Sequence, residues 1–528
     1  MGSAVSSLLP DYVIYIKTGD VKGGGTDAAV HLILYNEDGK KSREILLSDP
    51  FGWNFERNQT DRFYIRNMHD LGEIAKIEVW RDVWFGDDWY LDSVIIEDWR
   101  RKDKYPFPVH RWVTDCHLLI EKYDCFLPMM EPNPVQRQEE LDFNKRQYNF
   151  GPANQGAPIM VETLPKHEEF SFAHQMDLNK QLMQSILKTK VTFMMSKPWT
   201  TLDCLTNVYS EYFVLPESYA TWKEDWHFGS QRLQGCNPCV IELCKEIPKK
   251  FAVTNEMVKP IMEDMTLEEC IAQKRLFIVD YKRLKDLPTT TSKVVVCAPI
   301  ALFFMNKEKV LMPVAIQLFQ DAGPDNPVFL PTDPQYTWML AKMFFNNADA
   351  SVHESAVHLA FTHILIETFS LAVNRNLSPS HPIFRLLAPH LKYVMAINHS
   401  AVEILISPNG WIDRAMSVGR IGMLEIIRRE WKNWRFDING DLPTSLKARG
   451  VYDPEVIPDY PFRDDAMLIY DAIKNYVSAV VKGHYKTSEK VAEDIEIQNM
   501  AEELCSEPPE GLGVKGVPGD GSFTSWED

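Results

Sequence analysis

The chain has 528 residues, a formal net charge of −18 and 45% hydrophobic residues. This length favours two or more domains, and the composition is typical of a globular protein. The acidic charge argues against nucleic acid as a partner, because binding phosphates requires a basic face. The longest apolar run, residues 294–305, is interrupted by Pro299 and is too short to span a bilayer.

The cysteines and the N-terminus indicate the cellular compartment. Nine cysteines are scattered without the spacing of a disulfide framework, which is typical of a reducing cytosol. The first residues lack the basic start and apolar core of a signal peptide. They match the M-G-x-x-x-S pattern for myristoylation, which makes Gly2 a candidate lipidation site, with a cloning scar as the alternative.

Residues 11–122 are predicted to form an all-β sandwich. Short β-rich runs are separated by turn clusters rich in Gly, Asn and Asp, and they cover residues 13–17, 30–35, 74–80, 91–97 and 118–123. Short strands at such intervals are typical of sandwiches.

The predicted loops of this sandwich carry two kinds of side chain that suggest binding. Oxygen-bearing groups that could bind calcium are Asp27, Asn54, Glu56, Asp87 and Asp88. Large apolar groups that could insert at a lipid surface are Trp53, Trp84 and Phe85. The alternative is solvated loops with core tryptophans.

The composition shifts after residue 125, where Pro128, Pro132 and Pro134 indicate a linker before helical periodicity begins. We therefore predict a multidomain chain with an N-terminal tail at residues 1–10 and the sandwich at 11–122. A linker at 123–136 then leads into a large, mainly α-helical domain at 137–528.

Three histidines recur at an interval of five residues, His353, His358 and His363, within an apolar, helix-like run at 352–374. Imidazole is the commonest metal ligand, but the H-E-x-x-H motif of zinc proteases requires an interval of four. On an α-helix the fifth residue points about 140° away, whereas a π-type turn aligns it. The spacing predicts a locally widened helix. A metal site with further ligands elsewhere and three separately satisfied core histidines both remain open.

Several segments of the sandwich resemble the PLAT domain of animal lipoxygenases. They are residues 24–27 (GGTD), 51–57 (FGWNFER), 87–91 (DDWYL) and 107–112 (FPVHRW). The resemblance implies a cytoplasmic protein that associates peripherally with membranes, in several family members with calcium. Ala28 stands where family members often carry a second Asp after the one matching Asp27.

The predicted helical domain resembles the lipoxygenase catalytic domain, above all in residues 222–238 (WKEDWHFGSQRLQGCNP), where Arg232 replaces the family's Phe and Gln234 its Asn. Further matching segments are residues 294–304, 311–317, 326–333, 389–401 and 460–473. The histidine run is similar to the family's iron-binding helix, followed by Glu367 and the HPIF sequence at 381–384.

This resemblance implies one non-haem iron with His358 and His363 as ligands and His353 as a near neighbour. Glu367, one helical turn after His363, is placed to hydrogen-bond near a ligand, with a solvated or otherwise paired carboxylate as the alternative. No catalytic side chain is predicted beyond the iron ligands. Residues implied to position substrate or oxygen are Leu359, Ala401 and Leu405.

Two departures from the family accompany the match. Residues 417–423 (SVGRIGM) replace a glycine run that ends in histidine. The family's remaining ligands, in a Q-H-A-A-x-N segment and a C-terminal isoleucine, have no counterpart. We therefore expect a catalytic domain lacking its C-terminal part, and little or no activity from the chain as given.

Two hypotheses about function follow. The resemblance implies a dioxygenase that inserts O2 into a polyunsaturated fatty acid such as arachidonate and yields an S hydroperoxide. The alternative is a catalytically inactive, truncated lipoxygenase-like protein that acts as a membrane- or partner-binding module.

Overall fold

The computed structural model of the chain describes residues 9–47, 54–82, 88–114, 116–151, 156–195, 200–209, 214–290 and 294–528. The strands of its N-terminal part are β1 (Tyr12–Thr18), β2 (Val30–Asn36), β3 (Ile45–Leu47), β4 (Thr60–Ile65), β5 (Ile74–Arg81), β6 (Trp89–Asp98), β7 (Asp103–Val113) and β8 (Leu118–Glu121).

These strands form two antiparallel four-stranded sheets, ordered β4-β1-β6-β7 and β3-β2-β5-β8, and the predicted sandwich is confirmed. Alternate side chains point inward, so that Ile14 on β1 faces Ile96 on β6 in a fully buried register. Trp89 is fully buried, and its Nε1 donates to Thr18 Oγ1 at 3.0 Å. The core therefore lies between the two sheets.

Strand β7 is absent from the sequence prediction because Pro106 and Pro108 interrupt its pattern. Proline cannot donate to a strand ladder, and it is confined to positions where no donor is needed. Among the described strands, β7 lies at the edge of its sheet and pairs there with β6 alone, which explains why it tolerates both prolines.

The rest of the chain is mainly helical, as predicted. Its helices are α1 (Pro134–Gln147), α2 (Phe172–Met195), α3 (Asp225–Gln234), α4 (Asn255–Val258), α5 (Leu267–Ala272), α6 (Gln335–Val352), α7 (Leu365–Asn376), α8 (Pro382–Leu391), α9 (Val394–Ile404), α10 (Trp411–Ala415), α11 (Gly419–Trp431), α12 (Leu442–Ala448), α13 (Pro461–Tyr485), α14 (Ser488–Ala492) and α15 (Ile495–Cys505).

A small antiparallel sheet accompanies these helices. Its order is β13-β12-β11-β10-β9, with strands β9 (Glu242–Leu243), β10 (Leu276–Asp280), β11 (Ile300–Met305), β12 (Leu311–Gln317) and β13 (Val328–Phe329). Strand β11 is buried at every position, which explains why its sequence is a continuous apolar run.

A central helix runs without a break over residues 335–376, from α6 through a π-helical segment (His353–Ile364) into α7. Its length and composition would also suit a membrane crossing, although 56% of its most apolar window is buried inside the protein. It contacts α1, α9, α11, α15 and strand β12, so it is the axis of the helical domain.

The sandwich and the helical domain meet at a buried cluster of ions. Arg111 on β7 pairs with Asp124 at 2.7 Å and with Glu140 on α1 at 2.8 Å. Arg385 on α8 pairs with the same Asp124 at 3.2 Å. The domain boundaries themselves remain a prediction.

Candidate metal centre

The π-helical segment aligns the three histidines, and the predicted widening of the helix is confirmed. The rings of His353 and His358 are parallel within 7°, with centroids 6.1 Å apart. The rings of His358 and His363 are nearly perpendicular, at 4.8 Å. An α-helix would have turned each fifth side chain away, so the widened helix is what brings these rings together.

The Nε2 atoms of His358 and His363 lie 3.2 Å apart. Each Nδ1 has its own partner, Glu354 Oε2 at 2.9 Å for His358 and Asn398 Oδ1 at 2.9 Å for His363. Since both partners accept hydrogen bonds, each Nδ1 donates, and in the neutral form of the rings both Nε2 atoms present lone pairs to the same point.

Asn398 on α9 holds His363 in the tautomer that carries its proton on Nδ1. Its Nδ2 donates to the backbone oxygen of His363 at 3.0 Å and to Glu367 Oε2 at 2.7 Å, so its Oδ1 must face the imidazole. Asn398 is not among the residues that the histidine spacing predicts. A lone amide in the apolar helix α9, within the matching segment 389–401, is the signal that could have found it.

Glu367 is fully buried, so a solvated carboxylate is wrong, and its own hydrogen bonds go to Val161 and Asn398 rather than to a histidine. Its Oε1 accepts from the backbone N–H of Val161 at 2.9 Å, and its Oε2 accepts from Asn398. Burial raises the pKa of Glu367 to about 7. The carboxyl group thus connects to His363 through Asn398 and to the segment near Val161.

His353 lies beside the pair. Its Nδ1 is 3.5 Å from Glu354 Oε1, while the other oxygen of Glu354 bonds to His358. Within the described ranges, no group of three or more His, Cys, Asp and Glu side chains is arranged to hold a metal ion. The described residues thus bring two imidazole nitrogens to one point.

The residues predicted to position substrate or oxygen lie on elements that flank the pair. Leu359 follows His358 and packs, partly buried, against Ala360, Met423 and Ile427. Ala401 is half-buried on α9, three residues after Asn398, and Leu405, 40% exposed, ends that helix. Their roles remain predictions.

Arg232, where the sequence departs from the family, has a buried counter-ion. Asp349 lies 2.9 Å from its Nη1, and both side chains are almost fully buried. Asp349 also accepts hydrogen bonds from Asn237 Nδ2 at 3.1 Å and from the Tyr281 hydroxyl. This network lies at the end of α6, one turn before His353, and fixes the start of the π-helical segment.

The predicted calcium-binding residues of the sandwich are only partly brought together. The backbone N–H of Thr26 donates to Phe55 O at 3.2 Å, which joins the loop of the exposed Asp27 to that of Asn54 and Glu56. Asp88 instead pairs with Arg81 at 2.8 Å. Residues outside the described ranges are Gly2, Trp53, Trp84, Phe85 and Asp87.

Family models match both parts of the chain. The model described as PLAT/LH2 domain matches residues 12–122, and the model described as Lipoxygenase matches residues 161–508. The sandwich, the helical domain and the histidine helix thus define a PLAT-containing lipoxygenase. The chain belongs to the lipoxygenase family.

Two curated relatives illustrate the similarity. The allene oxide synthase-lipoxygenase protein of Plexaura homomalla is 30% identical over 94% of this chain, which spans only 50% of that relative. The human polyunsaturated fatty acid lipoxygenase ALOX15B is 29% identical over 97% of this chain and 78% of its own length.

A third relative has a different activity in its name: the human hydroperoxide isomerase ALOXE3 is 36% identical over 61% of this chain and 45% of its own length. Among solved structures, coral 8R-lipoxygenase, described as calcium-activated through a C2-like domain, superposes with a TM-score of 0.87 at 30% identity, covering 98% of this chain and 79% of that chain. A lipoxygenase structure in complex with arachidonate superposes with a TM-score of 0.86 and the same coverage.

Proposed function

We propose that this chain is a fatty-acid dioxygenase in which His358 and His363 bind one non-haem iron. The observation that carries the proposal is the 3.2 Å separation of their Nε2 atoms, with both Nδ1 protons engaged elsewhere. Two lone pairs facing each other repel unless a cation lies between them. One iron held by His358 and His363 would take a lone pair from each ring, and two metal–nitrogen bonds of about 2.1 Å are long enough to span this separation.

Iron suits this donor set, because neutral imidazole binds it well and the hydrogen bonds at Nδ1 increase the basicity of the ligands. Bound iron supplies the one-electron chemistry needed to oxidise a methylene group flanked by two double bonds. Asn398 and Glu354 orient the imidazoles, and Glu367 fixes Asn398. His353 is a neighbour of the pair, with its ring parallel to that of His358 and the two centroids 6.1 Å apart.

The proposed reaction inserts O2 into a polyunsaturated fatty acid, with arachidonate supported by the complex of a related structure. The proposed product is an S hydroperoxide, which rests on the family pattern at Ala401. Leu359 and Leu405 are proposed to contact the substrate chain. Because relatives include an isomerase and an allene oxide synthase-lipoxygenase, the product must be measured directly.

We further propose that the sandwich directs the chain from the cytoplasm to membrane surfaces, with calcium bound by the loops of Asp27, Asn54 and Glu56 and by Asp88. The calcium activation described for coral 8R-lipoxygenase supports this role. Trp53, Trp84 and Phe85 are the proposed membrane-inserting residues, and acylated Gly2 would add a second anchor.

The test is to load the purified chain with ferrous iron, quantify bound iron by mass spectrometry and follow oxygen uptake with arachidonate and linoleate. For a dioxygenase we expect one iron per chain, oxygen consumption and a conjugated-diene product of S configuration on chiral chromatography, whereas the two imidazole ligands among the described residues would by themselves retain iron weakly and give little or no activity. Oleate, which lacks a methylene between two double bonds, is the substrate control. An Ala401→Gly variant should shift the configuration towards R.

The second candidate, a catalytically inactive module that binds membranes or a partner, is favoured by one observation. The described residues bring only two imidazole nitrogens to the site, whereas metal centres generally need at least three protein ligands. Vesicle binding without iron retention or oxygen uptake would support this candidate and overturn the first.

A further inference from the structure

Helix α13 (Pro461–Tyr485) is held to the helical domain along one of its sides. Phe462 and Met467 pack against the buried core, and the Tyr470 hydroxyl donates to Asp441 Oδ1 at 2.8 Å. At the end of the helix, the hydroxyl of the buried Tyr485 donates to Asp494 Oδ2 at 2.9 Å. These contacts fix the helix on the domain and direct its opposite face to solvent.

The solvent face of α13 is apolar over most of its length. The side chains that form it, called the α13 stripe below, are all exposed: Leu468, Ile469, Ala472, Ile473, Tyr476 and Ala479. The larger ones among them are 58–72% exposed. Single exposed apolar side chains are ordinary on a protein surface, but a contiguous set of this size marks an interaction site.

The α13 stripe has the spacing of a seam between two helices. Ile469, Ala472, Tyr476 and Ala479 follow one another at intervals of three and four residues. Such alternating intervals keep side chains on one line that faces a second helix. Because the two alanines alternate with larger side chains, a second helix can approach closely and pack its own large side chains over the alanines. The stripe therefore fits a helix as its partner.

The exposed charges of α13 are segregated along its axis. Asp465 and Asp471 lie in its first half. Its second half, residues 474–485, contains no acidic residue and carries the exposed Lys482, followed by Lys486 just beyond its end. Acidic groups at the start of a helix and basic groups at its end suit the helix dipole, but Asp471 lies near the middle, beyond the reach of that effect.

This charge distribution selects the orientation of a second copy. Two parallel copies of α13 would place like charges side by side, which is repulsive, whereas two antiparallel copies place the acidic half of each helix beside the basic half of the other. The α13 stripe is thus complementary to itself in both shape and charge.

We propose that the α13 stripe binds the same stripe of a second copy of this chain, with the two helices antiparallel about a two-fold axis near Ile473. Ile469 and Tyr476 of each copy become buried in the seam, and both copies use the same surface. A single helix pair is a small interface, so the dimer is reversible and depends on concentration. Neither histidine of the metal centre belongs to the stripe, and the dimer does not depend on the proposed iron chemistry.

Sedimentation velocity of the full chain over a concentration series tests this pairing, and we expect a reversible monomer–dimer equilibrium. Ile469→Lys and Tyr476→Lys should each weaken the dimer by about tenfold or more, because each places a charge in the seam. Val135→Lys on α1 replaces another side chain that is 71% exposed, and this matched control should leave the equilibrium unchanged. Thermal melts should show that all three variants are folded, since all three sites are exposed.

Charge-reversed variants distinguish the antiparallel pair from unspecific association. A variant with Asp465→Lys and Asp471→Lys has two basic halves, and a variant with Lys482→Glu and Lys486→Glu has two acidic halves. Each variant alone should be monomeric at concentrations at which wild type is dimeric, because its copies repel each other, and an equimolar mixture of the two should restore the dimer.

Three results would overturn the proposal. They are a wild-type chain that stays monomeric at every concentration, a dimer that survives Ile469→Lys, and charge-reversed variants that do not form a dimer when mixed. His358→Ala should dimerise like wild type, which separates this test from that of the metal centre.

Discussion

The Nε2 atoms of His358 and His363 face each other at 3.2 Å, although the residues are five apart in sequence. The π-helical segment permits this approach, and Glu354 and Asn398 set the protonation of both rings. Because the rings of His358 and His363 are directed at one point, loss of either ring should remove the metal site. Loss of the neighbouring His353 ring should not.

We therefore expect His358→Ala and His363→Ala each to weaken ferrous iron binding by about a hundredfold or more, as measured by titration under anaerobic conditions. His353→Ala is the matched control and should stay within about threefold of wild type. Asn398→Leu should weaken iron binding by an intermediate amount, about ten- to a hundredfold, because the His363 ring remains but loses the hydrogen bond that orients it. Equal losses in all variants would contradict the geometry.

Glu367 should make the stability of the metal-free protein depend on pH. Its pKa of about 7 lies above the ordinary 4.5, so the native state holds the proton more tightly than the unfolded state does. The stabilisation is complete below about pH 4.5 and is lost as the pH rises through 7, to a total of roughly 3 kcal/mol.

Chemical denaturation of wild type and Glu367→Gln between pH 5 and 8 measures this effect. The free energy of unfolding of wild type should fall towards pH 8 by more than that of the variant, which cannot ionise. Parallel pH profiles would show that Glu367 does not titrate in this range.

Breaking the buried pair of Arg232 and Asp349 should lower the free energy of unfolding far more than breaking an exposed pair. Arg232→Met leaves the Asp349 carboxylate buried without its counter-ion, which should lower the free energy of unfolding by about 3–5 kcal/mol. Adding Asp349→Asn should recover most of that loss.

The control for this pair is Arg435→Met, which breaks an ion pair with Asp437 in which both side chains are 45% exposed. Arg435→Met should lower the free energy of unfolding by about 1 kcal/mol or less. Urea unfolding of the four proteins checks the prediction, which fails if the double variant is no more stable than Arg232→Met.

Two helical glycines should respond in opposite directions to alanine. A Cβ on Gly229 of α3 would lie 1.8 Å from the backbone oxygen of Leu311, so Gly229→Ala must push α3 off strand β12. Overpacking of this kind costs about 1–3 kcal/mol or more. Gly483 of α13 has open space around its Cβ position, and Gly483→Ala should stabilise by about 0.5–1 kcal/mol. Thermal melts of the two variants distinguish these outcomes.

Calcium binding, if it follows the proposal, should depend on Asp27 more than on Asp88. Asp27 is exposed, whereas the carboxylate of Asp88 is partly neutralised by Arg81. Isothermal titration should show a loss of about tenfold for Asp27→Asn and a smaller loss for Asp88→Asn. Asp70→Asn, which alters a surface pair with Arg101, should leave the affinity unchanged.

Local patterns were enough to predict most of the architecture. Alternating short runs predicted five of the sandwich strands, because strand side chains alternate between core and solvent. The interval of five predicted the widened helix, because few backbone geometries align such residues. Strand β7 was not predicted, because its prolines are acceptable only at the edge of a sheet. Which strand lies at the edge is decided by the assembled sheet and not by the local sequence.

By itself the sequence determined the two-part organisation, the histidine helix and the family, because these depend on periodicity and on motifs within single segments. Only the tertiary structure decided that Asn398 sets the tautomer of His363, that Glu367 is buried and that Asp349 compensates Arg232. Each of these joins residues distant in the chain, and their hydrogen bonds and burial exist only once the elements have packed.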